Sequence, residues 1–173
     1  MWETYAKIVG QHTANILTSI TECGPFNILL SDLPRGRNSA RELAVIIEFE
    51  GLLTDRREEV KGYMVCGAVH RGDVWPLLAY IASHLGLDAS ILETETGPQD
   101  ILDEFLNIVI GVAGADWAEH GFEMNFSIPH PLSGHTLPLP QPNDEAFHLV
   151  VSGPAGLQVD IMVVFNHQRL TAG

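Results

Sequence analysis

The chain has 173 residues, 46% of them hydrophobic, which suits one compact domain spanning 1–173 and argues against disorder. Its 22 acidic residues outnumber 9 Lys and Arg, a formal net charge of −13 that disfavours nucleic acid and anionic membranes and favours a partner offering a local basic group. Two cysteines, Cys23 and Cys66, exclude a disulfide-built scaffold, and with neither a leader-like N-terminus nor a run of ~20 apolar residues the expected location is the cytoplasm.

Tyr5, Ile8, Val9, His12, Ile16, Leu17 and Ile20 recur at helical spacing and predict an amphipathic helix over 4–20, ended by Gly24-Pro25. A short strand is expected at 26–30, then a loop marked by Pro34, Gly36 and Asn38. The β-branched run 43–49 and the segment 61–69 predict a hairpin across a solvated charged turn, Asp55 to Glu59. Gly62 and Gly67 weaken the second strand or mark a bulge.

Helical periodicity returns over 71–85, with Gly86 as its C-cap and Pro76 expected in the first turn. A longer helix is predicted over about 98–119, with Thr96 as N-cap, Gln99 completing a capping box and Asp100 near the positive helix end. Phe122 to Ile128 alternates as a half-buried strand, 129–144 reads as a proline-rich loop, and strands at 146–151 and 157–165 close the chain. The order predicts an α/β (α+β) domain, one mainly antiparallel sheet with three helices packed on it.

The long helix carries most of the information. At ~100° per residue, Ile101, Leu102, Phe105, Ile108, Val109 and Val112 share a core-facing arc. Asp100, Asp103, Glu104, Asn107, Gly111 and Gly114 gather on the other side, with Glu104 and Asn107 one turn apart. Interior helical glycine costs up to ~1 kcal/mol relative to alanine, so two on one face leave a smooth surface for another chain. A lone Glu-x-x-Asn pair is equally an ordinary surface feature. The residue types nonetheless suit one chemistry: an uncharged amide both donates and accepts, and so can hold a water, while a carboxylate pairs with a lysine ammonium. Together they could place water against an acyl phosphate carried by a partner.

Other chemistries fit less well. His130 and His135 share a loop, with His120 and His148 elsewhere, but neither a zinc-like spacing nor His-Glu-x-x-His occurs. Ser133-Gly134-His135 lacks a nucleophile elbow, Cys66 lacks a local base, and no phosphate-binding glycine loop is present.

The stretch Asp103-Glu104-Phe105-Leu106-Asn107-Ile108-Val109-Ile110-Gly111 resembles the motif helix of the CheC/CheX family of chemotaxis phosphatases, in its single-motif, CheX-like branch. The order of elements over roughly 4–165 is similar too, and Phe126-Ser127-Ile128-Pro129 followed by Ser133-Gly134 resembles the strand and loop after that helix. The resemblance implies a homodimer that removes phosphate from the aspartyl phosphate of a response-regulator receiver domain. It assigns Asn107 to orienting the attacking water, Glu104 to pairing with the regulator's lysine, and Asp103, Gly111 and Gly114 to partner contact. It implies no cofactor in this chain, the Mg²⁺ belonging to the receiver domain. Asp103 departs from the pattern, which commonly has glycine there, and no second Glu-x-x-Asn occurs in the other helices. The alternative is a non-catalytic docking or assembly module of the chemotaxis and flagellar-switch kind.

Overall fold

The structure, a computed structural model, describes residues 1–32, 41–68, 70–132 and 140–169. The expected loop residues Pro34, Gly36 and Asn38 and the candidate residues Ser133, Gly134 and His135 lie outside these. The elements are α1 (Trp2–Thr21), β1 (Asn27–Asp32), β2 (Leu43–Leu53), β3 (Glu58–Ala68), α2 (Arg71–His84), α3 (Gly97–Glu119), β4 (Phe122–Phe126), β5 (His130–Pro131), β6 (Glu145–Ser152) and β7 (Gln158–Arg169). The strands form one seven-stranded sheet in the order β1-β6-β7-β3-β2-β4, with β5 also pairing β2, and every pairing is antiparallel.

Strand alternation sends Val45, Ile47 and Phe49 of β2, Met64 and Cys66 of β3, and Ile161, Val163 and Phe165 of β7 to one face, into a single core with the three helices. Trp2, Tyr5, Phe49, Trp117, Phe122 and Phe165 form an aromatic cluster there, ring centroids 4.8–6.2 Å apart. Three hydrogen bonds among the described residues tie α1 to α3 and its C-cap: Trp117 Nε1–H donates to the Tyr5 carbonyl at 3.0 Å, the Tyr5 hydroxyl to the His120 carbonyl at 3.1 Å, and His12 Nε2 bonds Asp116 Oδ2 at 2.9 Å. The opposite sheet face holds a smaller apolar group, Ala44, Ile46, Val65, Met162 and Val164. At its margin Arg41 pairs with Asp160 at 3.0 Å, with His148 at 3.7 Å. Burial alone would raise the Asp160 pKa, but the neighbouring His148 and the hydrogen-bonded Arg41 guanidinium together outweigh it and lower the pKa.

Several local expectations are corrected. The first helix ends at Glu22, which caps it in the left-handed region, before Gly24-Pro25 is reached. Gly86 does close α2, at positive φ in a Schellman arrangement: its own N–H reaches the Ser83 carbonyl and the Leu87 N–H the Ala82 carbonyl. Pro76, however, lies in the second turn; the N–H it lacks would have met the carbonyl of Gly72, an exposed residue that water can satisfy. Thr96 makes no capping bond and donates instead to Asp100 Oδ2 at 3.0 Å, while Thr94 Oγ1 accepts the Gly97 N–H.

In the hairpin, Glu58 is buried at 4% exposure within β3, so the turn is narrower than its charges suggest. Gly62 and Gly67 mark no bulge, because β3 keeps unbroken register on both sides. A Cβ at Gly62 would meet the Val164 carbonyl and the Phe49 ring, and one at Gly67 the Leu43 carbonyl, so close packing explains both. The strand predicted to run to Ile128 stops at Phe126, and His130–Pro131, expected in a loop, is a strand pairing with β2.

Candidate functional site

Helix α3 buries Ile101, Leu102, Phe105, Leu106, Val109, Ile110, Ala113 and Trp117. Six of its eight buried apolar side chains lie at or before Ile110, which clamps the first half of the helix against the core. The arc is rotated from the one predicted: Ile108 is only half-buried and Val112 is 43% exposed, while Leu106 and Ile110 take their places in the core. Such a rotation arises because α1, α2 and the sheet all press on α3, so its buried face exceeds one simple stripe.

Glu104 and Asn107 are both exposed, and neither side chain is engaged by a hydrogen bond or ion pair among the described residues. Three residues of helix set them about 4.5 Å apart along the axis, on a backbone held by the buried residues between and around them. The donor, acceptor and carboxylate are thus displayed to solvent on a fixed support. Gly111 continues this surface one turn beyond Asn107; a Cβ there would meet nothing within 4 Å among the described residues, none of which requires it to be glycine. Gly114 differs: it is half-buried, and a Cβ would come within 2.8 Å of the Phe126 ring. Its small size therefore has an internal reason, close packing of β4 on α3. An open groove of about 930 Å³ follows the exposed face there, lined by Ile110, Gly111 and Gly114 of α3 and Met124, Asn125 and Phe126 of β4.

Asp103 sits at the margin of this face. It is half-buried, and its Oδ1 is buried without a hydrogen-bond partner. Burial, together with the nearby Asp100 carboxylate, pushes its pKa up to about 6 against a smaller opposing pull from His130. Helical periodicity alone makes Asp103 one more surface charge; the approach of β5 to α3, which brings His130 to act on its charge, is a tertiary feature.

The candidate metal and nucleophile residues are otherwise engaged. His120 and His12 both bond Asp116, at 3.2 Å and 2.9 Å, and His148 borders Asp160. Among the described residues no group of three or more His, Cys, Asp or Glu is placed to hold a metal ion. Both cysteines are free thiols, and burial pushes the Cys66 thiol far up, away from nucleophilic reactivity. No helix among the described residues is long and apolar enough to cross a membrane.

The sequence matches no protein-family model and none of the curated proteins. Solved structures are nevertheless similar in fold over nearly the whole chain. A chemotactic CheC-like protein from Shewanella oneidensis MR-1 superposes with a TM-score of 0.71 at 17% identity, over 96% of this chain and 100% of that one. The CheX chain of a CheX–CheY–BeF₃–Mg²⁺ complex from Borrelia burgdorferi gives 0.60 at 13% identity, over 94% and 97%. The middle domain of FliM from Helicobacter pylori gives 0.61 at 11%, over 95% and 88%. The architecture is thus one that CheC-like and CheX chemotaxis proteins share with the middle domain of FliM. Within that group it has the CheC/CheX-like fold, a mixed α/β arrangement of one large antiparallel sheet and three helices.

Proposed function

We propose that this protein is a CheX-like phosphatase that hydrolyses the aspartyl phosphate of a response-regulator receiver domain. The observation that carries the reading is the display of Glu104 and Asn107 on one turn of α3, exposed and unengaged, on a helix whose opposite face is buried in the core. Glu104 pairs with a lysine of the regulator and fixes the helix across its active site. Asn107 then accepts a hydrogen bond from a water and holds it in line with phosphorus. The water oxygen bonds to phosphorus as the acyl-phosphate P–O bond breaks; the electron pair leaves on the regulator's aspartate and the water's proton departs with inorganic phosphate. Little chemistry is asked of this chain beyond placement. The divalent cation belongs to the receiver domain in this reading, and the CheX–CheY complex named above contains Mg²⁺.

The whole chain, 1–173, acts as one domain in this reading, in the cytoplasm where receiver domains work. It functions as a homodimer that joins sheets across subunits. The smooth surface at Gly111, with Gly114 beside it, admits the regulator's backbone, and Asp103 borders the contact.

The test is the decay of phosphorylated receiver domains from the same genome, with and without the protein. Faster decay of at least one is expected. Asn107→Ala should abolish the acceleration, a loss of about 10²-fold or more, and leave binding largely intact. The fold likeness to FliM favours a second reading, a docking module without catalysis. It wins if a receiver domain binds and its phosphate lifetime does not change.

A further inference from the structure

Ile128 is the most exposed large hydrophobic residue described, at 86%. Alternation along β4 puts Phe122, Met124 and Phe126 on the helix side of the sheet, where Phe126 packs on Gly114 and stacks near Trp117. Two residues further on, Ile128 should join them. It does not, because the ladder to β2 gains a residue. Phe126 pairs with Phe49 and His130 with Ile46, so Ser127, Ile128 and Pro129 stand opposite only Ile47 and Glu48. This is a β-bulge, a feature that re-aims side chains and is common beside functional sites.

The bulge is firmly held. The Ser127 N–H donates to the Glu48 carbonyl at 2.8 Å, and the Ser127 hydroxyl accepts the Glu48 N–H at 2.9 Å. Beyond β5 the Leu132 N–H reaches the Ala44 carbonyl at 3.1 Å. Hydrogen bonds on both sides therefore fix an isoleucine in water, at a hydrophobic cost.

Its position along α3 follows from the strands that flank it, since β4 and β5 both pack on that helix. Phe126, on one side of the bulge, touches Gly114; His130, on the other, acts on the charge of Asp103. Asp103, Asn107, Gly111 and Gly114 form one stripe, within about 80° of arc. Its half-buried members are the two met by the β4–β5 segment, and its exposed members, Asn107 and Gly111, lie between them. The bulge thus runs alongside Asn107.

We infer that Ile128 is an apolar contact for the receiver domain, the second wall of a docking site whose floor is the Glu104/Asn107 face. The inference rests on the phosphatase reading for the identity of the occupant. It adds an apolar contact to a polar one: Glu104 and Asn107 present only polar groups, and Ile128 is the most exposed large hydrophobic side chain described.

The probe is a receiver domain loaded with Mg²⁺ and BeF₃⁻, identified as a substrate by its faster dephosphorylation with the wild-type protein. Ile128→Ala is expected to weaken its binding about tenfold. The same variant should raise KM for the phosphorylated domain by a similar factor, with kcat and the thermal midpoint unchanged. Leu87→Ala, which also removes an exposed leucine, should alter none of these. If wild-type protein acts on a receiver domain and Ile128→Ala matches it in binding and KM, the inference is overturned and the phosphatase reading stands. If no receiver domain is bound or dephosphorylated by the wild type, both fall together.

Discussion

Asp103 and Gly111 are separated by two helical turns, and each has a property its own chain does not explain. Asp103 places a carboxylate oxygen where no donor reaches it, and its pKa is raised to about 6. A carboxyl group whose folded pKa lies above its unfolded one binds protons more tightly in the native state. Its contribution to stability is fully present below the unfolded value near 4 and is lost as pH rises through about 6. Asp100 on the same helix and His130 from β5 are the charges that face it, so the effect belongs to this corner of the molecule. Asp103→Asn should therefore raise the melting temperature by about 1–3 °C at pH 8, a figure kept small because the group is partly solvated. At pH 4, where the carboxyl is already neutral, the two proteins should melt together; thermal scans at both values check this. Gly111 has open space above it, so Gly111→Ala should stabilise the isolated protein by up to about 1 kcal/mol. If its smoothness serves a partner, the same change weakens receiver binding, and denaturant titration beside a binding isotherm separates the two effects.

At the scale of elements, the pairing of β3 with both neighbours leaves Gly62 no room for a side chain. Its Cβ would collide with the Val164 carbonyl and with the Phe49 ring. Backbone and a buried aromatic cannot both retreat, so Gly62→Ala should destabilise the fold by about 1–3 kcal/mol or more, read as a lower urea midpoint. The helices were largely legible in the sequence: α1, α2 and α3 lie within a few residues of their periodic patterns. Their ends were less so, because Glu22 and Thr94 cap through conformations and contacts that no pattern of residue types announces. The β4–β5 bulge was invisible for a related reason. Phe122 to Ile128 alternates without a break, and the extra residue exists only relative to β2.

For the whole molecule, the sheet edges matter most. Among the described residues β1 pairs only with β6, and its Leu29 is 66% exposed. An unpaired edge with an apolar residue favours pairing with another strand. Sedimentation velocity at micromolar concentration is expected to show a dimer, and Leu29→Lys to shift it toward monomer. A monomer for the unaltered chain would overturn the proposed sheet-to-sheet assembly. The proposed receiver contact lies elsewhere, on α3 and the β4–β5 bulge, so dimer and docking site would not compete for one surface.

The sequence by itself determined the class of fold and the pair of residues on which the functional reading turns. Both rest on local periodicity: hydrophobic spacing names helices and strands, and three residues of helix bring Glu104 beside Asn107 whatever the rest of the chain does. Only the tertiary structure decided which face of α3 is covered, because that depends on elements distant in sequence. It put Val112 in water, set Gly114 under Phe126 and half-buried Asp103 near His130. It also turned Ile128 outward, through a register shift between strands some 80 residues apart that neither strand encodes alone.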